Sequence, residues 1–250
     1  MSLRLMLCLS LLLISAAASA ARQFTVRDGL SQNNVLAIAR DAQGFLWFGT
    51  EDGLTRFDGI DFRVYRRDQA GGGPSSNEIS ALLADGEQLW VGTRRGGLDV
   101  LDLRLQRWQR VQLLGLTAAA AVSVILKLPS GDLWVGTDGA GLHRVRFDSA
   151  GVAQIKHFQA EGAGLPSNRI YALSQGAAGI WVGTRDGIAQ IDPVSEIITR
   201  PSIPGALDPF ALNADEVFED AQGRLWIGTW ESGLFRVDAT RSEVKHYLPD

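Results

Sequence analysis

Few residues in this chain have the types and spacing that chemistry needs. Its three histidines, His143, His157 and His246, include no His-x3-His pair or other metal-ligand spacing. His157 and His246 each follow a lysine and precede an aromatic residue, a pattern of strand surface, and His143 stands alone. Ser195 sits in no nucleophile motif, and no glycine cluster carries the trailing lysine of a phosphate loop. Carboxylates come close together at Glu51-Asp52 and Asp215-Glu216, and Asp58 and Asp238 hold matching places. Such acids serve as general acid and base only when their surroundings drive the two pKa values apart. We therefore expect no enzyme activity in this region, no metal and no cofactor.

What remains is chemistry of recognition. The pairs Glu51-Asp52, Arg94-Arg95, Asp138-Gly139, Arg185-Asp186 and Trp230-Glu231 each follow a Gly-Thr dipeptide and change character from copy to copy. Arginine forks suit carboxylate or phosphate oxygens, acids suit hydroxyls, and an indole stacks on a sugar ring. Glu51, Asp52, Arg94, Arg95, Asp138, Arg185, Asp186, Trp230 and Glu231 are thus the candidate ligand-binding residues, Trp230 first among them. The expected ligand is a small molecule, an oligosaccharide or a protein. Polar residues ahead of each unit add Asn33, Asn34, Ser75, Ser76, Asn77, Ser167, Asn168, Arg169, Asn213, Asp215 and Glu216. For these the plainer reading is turn closure by bonds to nearby backbone.

The elements that would position those pairs are legible as a repeat. Trp47-Phe48-Gly49-Thr50 returns as Trp90-Val91-Gly92-Thr93, Trp134-Val135-Gly136-Thr137, Trp181-Val182-Gly183-Thr184 and Trp226-Ile227-Gly228-Thr229, at intervals of 43, 44, 47 and 45 residues. An apolar stretch and a turn precede each motif; a glycine turn, an apolar run and a final short stretch follow it. Four short strands per unit of that length predict an all-β β-propeller with one blade per repeat. The expected blades span about 24–68, 69–112, 113–159, 160–200 and 201–250. Bulky strands on both faces, with a Trp at one fixed place per blade, fill the wedge between neighbours. Trp47, Trp90, Trp134, Trp181 and Trp226, with Gly49, Gly92, Gly136, Gly183 and Gly228, are therefore expected to be packing elements rather than ligand contacts.

The run Asp28-Gly29-Leu30-Ser31-Gln32-Asn33-Asn34-Val35, then Leu46-Trp47-Phe48-Gly49-Thr50, Gly53-Leu54 and Arg56-Phe57-Asp58, resembles the two-component regulator propeller repeat. The resemblance extends over about residues 23–250, with one extra residue after the Trp-x-Gly-Thr motif in repeats two, three and five. It implies the exported sensor region of a hybrid histidine kinase, or of a related receptor ending in a diguanylate cyclase. It also implies a second propeller, an immunoglobulin-like domain, one membrane helix and a cytoplasmic signalling module outside these residues, and dimerisation through the full-length receptor.

Composition agrees with that setting. A formal charge of −4 argues against a general nucleic-acid or anionic-membrane binder. Arg4, the apolar run from Leu5 to Ile14 and Ala18-Ser19-Ala20 read as a secretory signal peptide over residues 1–20. Its removal takes away Cys8, the one cysteine, and leaves no thiol for disulfides or thiolate chemistry. The expected location is the periplasmic side of a bacterial inner membrane. Gln23 to Val26 is expected to be an outer strand completing a distant blade, and repeat five already holds a fourth strand at Val244 to Tyr247. That leaves the N-terminal strand nothing here to complete, so the propeller is expected to be the N-terminal part of a larger one. The alternatives are a free-standing ring of five blades, an exported interaction scaffold without signalling, and a propeller-fold polysaccharide lyase or hydrolase.

Overall fold

A computed structural model describes residues 23–68, 72–111, 121–148, 153–201 and 212–248. The expected signal peptide lies outside these residues. The architecture is all-β, five four-stranded antiparallel sheets in which each strand pairs with the next in sequence. Blade 1 is β1–β4 (Val35–Arg40, Leu46–Thr50, Gly53–Phe57, Phe62–Tyr65). Blade 2 is β5–β8 (Ile79–Asp85, Gln88–Thr93, Gly97–Asp102, Arg107–Val111) and blade 3 is β9–β12 (Val122–Lys127, Leu133–Thr137, Leu142–Phe147, Ala153–Phe158). Blade 4 is β13–β16 (Ile170–Gly176, Gly179–Thr184, Gly187–Ile191, Ile198–Thr199) and blade 5 is β17–β20 (Ala214–Glu219, Leu225–Thr229, Leu234–Val237, Val244–Tyr247). The first strands β1, β5, β9, β13 and β17 lie side by side in that order.

The core sits between blades. Trp47, Leu54 and Tyr65 of blade 1 pack against Ile79, Leu89, Val91 and Leu101 of blade 2, and the same arrangement recurs between each later pair. Trp47 and Trp134 are fully buried, and Trp90 and Trp181 nearly so. The motif glycine keeps this contact close: a methyl group on Gly49 would lie 2.7 Å from Ile79 Cγ2, and one on Gly92 would lie 2.5 Å from Val122 Cγ1. An aromatic residue of the fourth strand covers its own blade's indole in Trp47–Tyr65, Trp134–Phe158 and Trp226–Tyr247, with ring centroids 5.5 to 6.2 Å apart. Blade 5 differs because, among the described residues, no blade packs on its second face. Trp226 is only half-buried there, and Phe218 and Leu234 are exposed.

One local expectation is corrected. Residues Val26–Asp28 form a 3-10 turn capped by the Thr25 hydroxyl, and no outer strand forms at Gln23 to Val26. Phe24 instead packs on Phe57 and Phe62 of blade 1, at ring-centroid distances of 5.0 and 5.3 Å. The apolar face of blade 1 captures the segment locally, without a long loop to close. In blade 4 the last strand is short, because Glu196 sits at φ +63° in a turn whose backbone N–H groups at Val194 and Ser195 donate to the Asp192 carboxylate.

Candidate functional site

The loops between second and third strands are held by the threonine that ends every motif. Its hydroxyl donates to the carbonyl of the glycine opening the third strand: Thr50 to Gly53, Thr93 to Gly97, Thr137 to Gly141, Thr184 to Gly187 and Thr229 to Gly233, at 2.7 to 3.1 Å. The same oxygen accepts a loop N–H from Asp52, Gly96, Ala140, Asp186 and Ser232 respectively. One threonine thus closes loops of two lengths, which is how repeats two, three and five accommodate their extra residue. The loop tips are left on a rigid base, as recognition residues require.

The first strands supply a second device. In each of β1, β5, β9, β13 and β17 the register slips after the first residue, leaving one residue bulged out of the ladder: Leu36, Ser80, Ser123, Tyr171 and Asp215. A bulge re-aims a side chain that regular pleating would send elsewhere. All five bulged residues line one cavity of about 820 Å³, together with Glu78, Arg94, Arg95, Ala121, Val122 and Asp138. Loop tips and inner strands therefore converge on one mouth.

Of the residues singled out from sequence, Arg94, Arg95 and Asp138 line this cavity. Their charges are paired: Arg94 with Glu51 at 3.7 Å, Arg95 with Glu78 at 3.1 Å, and Asp138 with Arg169 at 3.6 Å. Asp52 turns away, meeting Arg66 at 3.0 Å and the Asn77 amide at 3.4 Å across the join of blades 1 and 2. Asp186 meets its own loop only through its backbone N–H, which donates to Thr184, and Asp186, Arg185, Trp230 and Glu231 are exposed without lining the cavity. Trp230 is 72% exposed, the most accessible indole among the described residues. Three of the polar residues ahead of the blades serve backbone: Asn33 accepts from Val26 N, Asn77 from Arg67 N and Asn168 from Ala160 N, each at 2.8 Å, whereas the buried Asn213 oxygen has no partner among the described residues.

Leu36, Ser80, Ser123 and Tyr171 escaped the sequence reading because they lie inside apolar stretches that look like ordinary strand. The available sign was a residue of changing type directly after the conserved β-branched or small first residue of each blade. Asp215 was noticed, but as one of the polar residues ahead of its blade. Here it is half-buried, and burial raises its carboxyl above the usual range. Burial, and then the neighbouring Asp215 charge, raise the Glu216 carboxyl as well.

A second cavity, of about 660 Å³, opens between blades 3 and 4 at the other ends of the strands. It exists because the Gly176-Ala177-Ala178-Gly179 segment carries almost no side chain. Its arginines are matched internally, Arg146 by Asp132 and Arg144 by Glu196. Among the described residues no group of three His, Cys, Asp or Glu could hold a metal ion, and no helix is long and apolar enough to cross a membrane.

Comparison with known proteins places this geometry. The model of the family described as two component regulator propeller matches residues 29–52, 164–186 and 216–231. A histidine kinase P4 from Formosa agariphila is 53% identical over 45 residues, which is 18% of this chain and 3% of the kinase. The extracellular domain of a proposed hybrid two-component system from B. thetaiotaomicron superposes with TM-score 0.74 at 25% identity, over 90% of this chain and 31% of that one. A second such domain from the same organism gives TM-score 0.67 at 25% identity, over 85% of this chain and 27% of its own length. The chain therefore spans less than a third of the length of these structures. Parts of three of its repeats match the two component regulator propeller model, and these two structural neighbours are extracellular domains of two-component systems.

Proposed function

We propose that this chain, a propeller of two-component regulator repeats, is the exported sensing part of a bacterial transmembrane receptor of the two-component type. It works on the periplasmic side of the inner membrane and binds a small molecule, sugar or protein at the mouth of its loops. The observation that carries this reading is the set of five bulges, which turn one variable residue of every blade into a single cavity. Signalling then follows from differential affinity: a ligand preferring one of two receptor states shifts their populations, and a dimer joined through a membrane segment outside this chain carries the shift inward.

The test fills the cavity. Leu36→Trp in the full-length receptor is expected to abolish the output response to the inducing growth substrate while the thermal melt of the propeller is retained. An undiminished response would remove the mouth from sensing. The exposed face of blade 5, with Phe218, Leu234 and the nearby Trp230, supports a second reading as a scaffold that docks a protein. Retention of all output in Leu36→Trp with loss of it in Phe218→Ser would favour that reading.

A further inference from the structure

The five bulged residues are not equally available. The Ser80 hydroxyl donates to the Val122 carbonyl of the next blade at 2.5 Å, and the Ser123 hydroxyl donates in the same way to Ile170. Both serine protons are thereby committed to stitching one first strand to the next. Leu36 offers only carbon. The polar capacity of the ring rests on Tyr171 and Asp215, on the adjacent first strands of blades 4 and 5.

Charge sharpens the distinction. Glu78 and Asp138, the other acids lining the mouth, and Glu51 beside Arg94 each face an arginine within 3.7 Å. Asp215 has no hydrogen bond or ion pair from its side chain to any described residue, nor does the phenol of Tyr171. Glu216 beside it in sequence has no side-chain partner among the described residues either, although it does not line the cavity. A half-buried carboxylate without a donor has lost hydration and received nothing in exchange. Arg185, on the second-to-third-strand loop of the adjacent blade 4, pairs with no described residue through its side chain and does not line the cavity. A divalent metal is a poor occupant, since calcium takes six or more oxygens and no three-acid group exists among the described residues. An ammonium group fits: it needs few acceptors, is neutralised by one carboxylate, and gains from the face of an aromatic ring.

We infer that the ligand of this mouth carries a primary amino group, seated on the Asp215 carboxylate beside Tyr171, with its polar remainder toward Arg94 and Arg95. This rests on the sensing reading above and adds the class of ligand to it. Amino sugars and short peptides share that chemistry, and the experiment separates them.

Glucosamine, diglycine, glucose and glucuronate are titrated calorimetrically into the full chain and into Asp215→Asn, Tyr171→Leu and Arg185→Ala. Asp215→Asn keeps shape and removes charge, and its melt checks folding. Glucosamine or diglycine is expected to bind, glucose at least ten-fold more weakly, and Asp215→Asn should weaken the amine by about ten-fold or more. Tyr171→Leu should weaken it less, and Arg185→Ala should leave it unchanged or tighten it. Whichever of the two amines binds better identifies the source. Binding of glucuronate that survives Asp215→Asn would overturn this inference and leave the sensing mouth intact. Failure of all four probes, with Leu36→Trp still silencing the receptor, would overturn it as well.

Discussion

The indole N–H of Trp181 in blade 4 donates to the carboxylate of Glu219 in blade 5, at 2.6 Å. The equivalent indoles of blades 1 and 5 stay within their own blade: Trp47 donates to Asp41 and Trp226 to Asp220, each at 2.8 Å. Blade 4 has no acid in its Gly176-Ala177-Ala178-Gly179 segment and borrows one from its neighbour. Arg241 completes the clamp, 3.7 Å from Glu219 and over the Trp181 ring at 5.3 Å. Removing the acceptor strands a buried N–H, so Glu219→Ala should cost about 2 kcal/mol. A urea melt of the variant checks this, and Trp181→Phe should erase most of the added cost in a double-mutant cycle.

Asp41 does the same work within one turn. Its carboxylate accepts from Gln43 N and Phe45 N at 3.0 Å each, besides the Trp47 indole. Asp220 repeats the set with Gln222 N, Arg224 N, the Arg224 guanidinium and Trp226. Burial raises the Asp220 carboxyl, but these donors prevail and hold it well below the usual carboxylate range. Asp41→Ala should destabilise the chain by about 2 kcal/mol, since three donors lose one acceptor. Asp41→Asn should cost less, because the amide oxygen still serves some of them. The difference in denaturation midpoints between the two variants checks the claim.

Much of this was readable from sequence, and the boundary of legibility has a physical cause. The Trp-x-Gly-Thr period gave blade number and core, because packing between blades demands the same residue at the same place each time. The Asp-Ala-Gln-Gly segment before Trp47 was recognisable as a turn, though not as the indole's partner. Bulges were invisible: a register slip depends on hydrogen bonds between strands, and Leu36 or Tyr171 has no letter that marks it as unpaired. The charged loop pairs were found as positions, but pairing across blades decided their fate. Asp52 is held by Arg66 away from the cavity that Arg94 and Asp138 line. The N-terminal segment was misplaced because its Phe24 had nearer apolar surface at Phe57 than any distant blade.

Acid should act through one histidine. His143 is fully buried and stacked on His157 at 4.3 Å, and burial, then the His157 charge, lower its pKa to about 4. The folded state therefore resists a proton that the unfolded chain accepts near its ordinary value. Stability from this group is complete above about pH 6.5 and is lost as pH falls toward 4, to a total of about 3 kcal/mol. Blade 5 shows the substitution that removes the effect, since Phe235 occupies the same place, stacked on His246 at 4.1 Å. His143→Phe should fold and should lose about 3 kcal/mol less than the parent between pH 7 and pH 4. Parallel slopes in denaturation series across that range would refute the assignment, because the carboxylates titrate alike in both proteins.

The motif glycines offer the sharpest contrast, because one sequence position has two environments. A methyl group on Gly92 would lie 2.5 Å from Val122 Cγ1 and 3.0 Å from Ala81 Cβ, and one on Gly136 would fall between Val124 and Ile170 at 2.6 and 2.7 Å. On Gly228 the nearest atom is Glu216 Cβ at 3.4 Å, since no blade presses on that face. The first two sites must push a neighbouring strand away, at about 1–3 kcal/mol each. Gly228→Ala meets only ordinary contact, so its cost should be near zero. If melts show Gly92→Ala and Gly228→Ala equally destabilised in this chain, then a partner covers blade 5 in solution, and Gly228→Ala should also weaken that association in sedimentation.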